Sequence, residues 1–182
     1  MALQLGKIYI ARECWSEAYS YNKEALLCFE ELGDASGRSR ALNNLGLICV
    51  ETGDYDQAQE LLEEALVQKK QSNEPNRSVY TLTELGRLHY KKGDLATAMH
   101  FSRMALETLW ESVAFMDKAE VARLFRLFGS IAAQTGDRRG AIGYLQRAIT
   151  YYGQLNQWRE WSAVTRELDA LIRQRHETTS ER

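Results

Sequence analysis

Residues 41–65 read ALNNLGLICVETGDYDQAQELLEEA, and this stretch decides the fold. Apolar residues at helical spacing surround Leu45-Gly46, a Gly53-Asp54 pair follows, and a second helical stretch carries Ala58 and Ala65. Glycine accepts the left-handed conformation that ends a helix, and aspartate caps the next helix through its side-chain oxygen. The spacing predicts two helices, at about 41–51 and 55–67, folded back on one another.

The same markers return along the chain. A hydrophobic-Gly dipeptide stands at Leu5-Gly6, Leu45-Gly46, Leu85-Gly86 and Phe128-Gly129, with glycine spacings of 40, 40 and 43 residues. Seven residues after three of these glycines come Gly53-Asp54, Gly93-Asp94 and Gly136-Asp137; Glu13-Cys14 takes that place in the first repeat. Twelve residues after each glycine stands Ala18, Ala58, Ala98 or Ala141, and nineteen after it Ala25, Ala65, Ala105 or Ala148. Small residues at fixed positions let neighbouring helix backbones approach closely. Four repeats of one helix pair are therefore expected, stacked into a solenoid.

Composition agrees. Proline occurs once, at Pro75, whereas glycine occurs 12 times, which suits helices joined by tight turns. Hydrophobic residues at 45% can fill a core. Polar stretches at Gly33-Asp34-Ala35-Ser36-Gly37 and Ser72-Asn73-Glu74-Pro75-Asn76 read as turns between repeats. Asp117-Lys118-Ala119-Glu120 is similar to a capping box opening the fourth repeat. After it, Trp161, Val164, Leu168, Leu171 and Ile172 recur at helical spacing, as expected of a helix that covers the last apolar face. Met1 falls almost inside the first helix, with no preceding cap; either a fragment of a longer protein or an open end that self-associates is expected.

These residues resemble the tetratricopeptide repeat family in its longer form of about 40 residues. Segments such as Glu31-Leu32-Gly33-Asp34 leading into Ala41-Leu42-Asn43-Asn44-Leu45-Gly46 are similar to arrays in kinesin light chain, in polarity scaffolds and in bacterial peptide-sensing regulators. The resemblance implies an all-α, right-handed solenoid of antiparallel helix pairs with a C-terminal capping helix. One domain is expected over 1–175, with repeats at about 1–32, 38–72, 78–112 and 117–153, a cap at 158–175 and a flexible tail at 176–182.

The resemblance also implies that the first helix of each pair lines a concave surface that binds a peptide or protein segment. Residues six and three before the marker glycine, and one and four after it, share one helix face. That face gives Leu3, Lys7 and Ile10, then Arg40, Asn43, Leu47 and Val50. The third repeat adds Tyr80, Thr83, Arg87 and Tyr90, and the fourth adds Arg123, Arg126, Ser130 and Ala133. Asn44 and Lys91 stand at its edge, and Arg166 joins from the terminal helix. Arginine supplies forked charge-assisted hydrogen bonds, asparagine bonds peptide backbone and tyrosine packs against side chains, which suits an acidic segment. A clamp for a chaperone C-terminal carboxylate is not expected, because Leu3, Tyr80 and Glu84 stand where its cations belong.

Other chemistries find little in the sequence. His89, His100 and His176 show no metal-ligand spacing with Cys14, Cys28 and Cys49. Gly136, Gly140 and Gly143 lack the phosphate-loop pattern, and Glu60, Glu63 and Glu64 have the spacing of a solvated helix face. No catalytic residue, metal or cofactor is expected. The formal charge of −2 speaks against a general nucleic-acid binder. No apolar run is long enough to span a bilayer and no signal peptide is visible, so a cytoplasmic chain with free thiols is expected. The function expected is a non-enzymatic interaction module. The alternative is a sensor domain in which ligand binding changes superhelix curvature and so the state of an attached effector.

Overall fold

The computed structural model describes residues 1–71, 78–111 and 117–180. The described residues form α1 (Ala2–Ala11), α2 (Trp15–Glu31), α3 (Ala35–Thr52), α4 (Tyr55–Gln71), α5 (Ser78–Lys91), α6 (Leu95–Glu111), α7 (Lys118–Gln134), α8 (Arg138–Gln154) and α9 (Trp158–Ser180). These are four antiparallel pairs and a terminal helix. The turn expected around Pro75, and the stretch just before Asp117 where the glycine spacing lengthens from 40 to 43, lie outside the described residues.

The marker positions do what their sizes allow. Ala18, Ala58, Ala98 and Ala141 have no exposed surface, and Ala25, Ala65, Ala105 and Ala148 are at most 3% exposed. Gly53, Gly93 and Gly136 turn each pair at φ between 82° and 85°. Glu13 takes the same left-handed turn at φ 58°, although a side chain there carries a conformational cost. Asp54, Asp94 and Asp137 then cap the second helices by accepting from the backbone N–H of Gln57, Thr97 and Gly140.

Two boundaries differ from the sequence-based expectation. Helix α3 begins at Ala35, so only Gly33-Asp34 of the stretch read as an inter-repeat turn is a turn. The cause is local: Asp34 accepts from Gly37 N–H at 2.8 Å and starts the helix three residues earlier than the expected repeat boundary. Helix α9 runs on to Ser180, through the first part of the segment read as a tail.

Each second helix packs between its own first helix and the first helix of the next repeat. First helices also touch one another, α1 on α3, α3 on α5 and α5 on α7. No comparable contact joins the second helices among the described residues. An inner layer that is closer together than the outer one bends the stack, so the first helices face the concave side. Val164 and Leu168 of α9 pack with Leu145, Ala148 and Tyr152 of α8, which covers the last repeat as the apolar spacing predicts. Burial of side chains such as Leu62, Leu85 and Leu124 contributes roughly 1.5–3 kcal/mol each. A helix as short as the 10 residues of α1 is marginal alone in water without that packing.

Candidate functional site

The curvature encloses a groove of about 1550 Å³. Of the residues expected to bind, Lys7, Arg40, Asn43, Asn44, Tyr80, Arg123, Arg126 and Arg166 line it. Thr83, Arg87, Tyr90 and Lys91 do not.

The reason is visible in the helix positions. On α1 the groove takes Lys7 and Ile10, after the marker glycine; on α3 it takes Arg40, Asn43 and Leu47, around it. On α5 it reaches only Val79 and Tyr80, and on α7 Ala119, Glu120, Arg123 and Arg126, all before the glycine. The groove therefore crosses the first helices obliquely. A single set of offsets, applied equally to every repeat, ignores the rotation that accumulates from one repeat to the next.

Four expected binders have structural partners instead. The Thr83 hydroxyl is buried and donates to Val79 O at 2.8 Å. Arg87 pairs with the fully buried carboxylate of Glu84 at 3.0 Å and with Glu51 of α3. Glu84, then Glu51, hold its guanidinium protonated above the usual arginine value. Lys91 lies 3.8 Å from Glu51, and the Tyr90 hydroxyl accepts from Gln134 Nε2 at 2.9 Å. Val50 is 1% exposed, which also removes it from the binding face.

Within the groove the polar groups fall into two sets. The first is braced. Asn44 Nδ2 donates to Asn22 Oδ1 at 2.8 Å, and Asn43 Oδ1 accepts from the Thr81 hydroxyl at 2.8 Å. Arg126 pairs with Glu167 of α9. Arg123 pairs with Glu120 at 3.1 Å and lies over the Tyr80 ring at 5.5 Å. Although burial opposes its charge, Glu120, Tyr80 and Glu84 hold Arg123 protonated. Burial pushes the Tyr80 phenol above its ordinary range, so it stays neutral and can donate. The second set comprises Lys7, Arg40 and Arg166, all exposed and none in an ion pair among the described residues, although Arg166 Nε donates to Ser162 O at 3.4 Å.

Sequence reasoning missed several lining residues, among them Gln68, Glu120, Arg159 and Glu160. Gln68 comes from a second helix, where no offset from the first-helix marker would seek it. Six cationic and four acidic side chains line the groove, a positive excess on a chain of net charge −2. No group of three His, Cys, Asp or Glu side chains among the described residues is placed to hold a metal ion. Burial, with Asp54 second, pushes the Cys49 thiol up to about 11, so it stays un-ionised at neutral pH. No described helix is long and apolar enough to cross a membrane.

The molecule is thus a helical-repeat solenoid with a polar concave groove. The tetratricopeptide repeat family model matches residues 1–71 and 40–111, well over half of the chain, and the chain belongs to that family. No curated protein matches it in sequence. Among solved structures it is similar to BtubC (BKLC) from P. vanneervenii, with a TM-score of 0.68 and 22% identity, covering 85% of this chain and 63% of that one. It is similar to a Rap protein complexed with Competence and Sporulation Factor, at TM-score 0.64 and 13% identity, covering 97% and 64%. A putative kinesin light chain from Podospora anserina gives TM-score 0.58 and 14% identity over 94% of this chain and 93% of its own. The chain spans 63–64% of the length of the first two, and identities this low establish the shared fold.

Proposed function

We propose that this chain is a non-enzymatic interaction module that holds an acidic peptide or protein segment in its concave groove. The positive excess of the groove, with Lys7 and Arg40 free of ion pairs, carries this reading. A carboxylate reaching either cation gains a charge-assisted hydrogen bond without first breaking an internal one. Arg123, Arg126, Asn43 and Asn44 are already held by neighbours, so the receptor loses little freedom on binding. Asn43 and Asn44 are buried and shape the groove wall through their internal bonds, and Tyr80 offers a half-buried ring with a hydroxyl. The Rap protein of similar fold is complexed with Competence and Sporulation Factor, which supports a ligand-binding role for the fold.

A displayed library of random peptides tests this. Binders enriched in Asp and Glu are expected, and Arg40→Glu should weaken them at least tenfold. The control is Arg103→Glu, which makes the same charge change at an exposed position of α6 outside the groove. Enriched binders that tolerate Arg40→Glu and Arg103→Glu equally would overturn the assignment.

A further inference from the structure

Arg159, in the first turn of α9, reaches across to the α1–α2 turn. Its guanidinium pairs with the Glu13 carboxylate and donates to Ala11 O at 3.3 Å. The partners are 146 residues apart in the chain, so this contact joins the first repeat to the terminal helix. Ala11, Glu13 and Trp15 line one border of the groove, and Arg159, Glu160, Ala163 and Arg166 line another.

A second observation points to the same place. The turn position occupied by glycine in the other three repeats is occupied here by Glu13, at φ 58°. A glutamate is unfavourable in the left-handed region, where glycine is free of strain. The side chain that makes the turn unfavourable is the one that meets Arg159.

We infer that Glu13 and Arg159 form a latch that draws the two ends of the superhelix together across the groove and limits access to it. The latch is weak by construction. Both side chains are more than half exposed, and exposed ion pairs hold only modestly and are screened by salt. The ends therefore separate and rejoin, and a segment reaches the groove while they are apart. The access role rests on the groove being the binding site; the closure itself does not.

Closure is measured without any ligand. Spin labels go on Ser16→Cys and Ser162→Cys, both exposed and each three residues from its latch residue, in a Cys14→Ser, Cys28→Ser background. Cys49 is 2% exposed and stays unlabelled. At 50 mM NaCl a short, narrow inter-label distance is expected, lengthening by about one helical turn, ~5 Å, in 1 M NaCl. Glu13→Gln and Arg159→Gln should each show the long distance already at 50 mM, and exchanging the charges as Glu13→Arg with Arg159→Glu should restore the short one. Single variants that keep the short distance at both salt concentrations would overturn the latch.

Access is then read from the association rate of a fluorescent oligoglutamate. Glu13→Gln makes the groove more positive and Arg159→Gln makes it less so. Electrostatic attraction alone moves the two rates in opposite directions, whereas an opened latch raises both at least twofold. Opposite changes would overturn the access role. Absence of any oligoglutamate binding would count against the acidic-segment reading and the access role built on it, while the distances would still decide closure.

Discussion

Asn22 of α2 fills the space that Gly6 of α1 leaves open: a Cβ placed on Gly6 would lie 2.3 Å from Asn22 Nδ2. The same relation recurs sixteen residues after every marker glycine. Leu62 faces Gly46, Ser102 faces Gly86 and Leu145 faces Gly129, with corresponding approaches of 2.6, 2.9 and 2.8 Å. The marker glycines are sockets for one side chain of the paired helix.

Filling a socket should therefore separate the helices. Gly46→Ala and Gly129→Ala are each expected to lower stability by about 1–3 kcal/mol, because Leu62 and Leu145 are buried and have little room to move. Gly143 lies inside α8, where an added methyl group would meet nothing within 4 Å, so Gly143→Ala should stabilise by roughly 1 kcal/mol. Urea unfolding of the three variants measures both signs.

Asn22 is the only asparagine in these sockets, and it depends on Asn44. Its Nδ2 donates to Ala18 O at 2.7 Å while its Oδ1 accepts from Asn44. Asn44→Ala should cost about 1–3 kcal/mol by leaving that buried oxygen without its donor. A loss below about 0.5 kcal/mol in thermal or urea unfolding would show that the amide has found another partner.

Arg87 should behave as a structural residue. Arg87→Met leaves the fully buried Glu84 carboxylate without its cation, and a loss of about 3–5 kcal/mol is expected. Adding Glu84→Gln to Arg87→Met removes the buried charge and should recover much of that loss. A double-mutant cycle in urea reads the coupling directly.

Asp94 supplies a pH dependence. Hydrogen bonds from Thr97, side chain and backbone, hold its carboxyl below the usual value. A carboxyl depressed in the folded state adds stability above its unfolded pKa of about 3.9 and loses it as pH falls through the folded value. Asp94→Asn keeps a good cap without the charge. Its stability deficit should be full near neutral pH and shrink below about pH 4, as unfolding curves across that range would show.

Much of the fold was legible because its rules are local. A left-handed turn wants glycine, a helix start wants aspartate, and close helix pairs want Gly6, Ala18 and Ala25 or their equivalents at fixed offsets. The packing requirement is stated four times, every 40 or so residues, and the glycine-aspartate turn within a pair three times, Glu13-Cys14 standing in the first repeat. The partner residue in each socket was hidden because Asn22, Leu62, Ser102 and Leu145 share a position but not a single residue type.

The binding face was legible only in part. Periodicity places Arg40, Arg87 and Arg123 on one face of their helices, which is as far as a helical repeat can discriminate. Three-dimensional packing separates them: Arg87 is taken by Glu84 and Glu51, Arg123 is braced against Glu120, and Arg40 remains free of ion pairs. The meeting of Glu13 with Arg159 depends on curvature summed over four repeats. The amino-acid sequence by itself determined the helix pairs and their order, since these follow from neighbours within one repeat. Only the tertiary structure decided which side chains share the groove, because small rotations between repeats accumulate along the stack and no short stretch of sequence carries their sum.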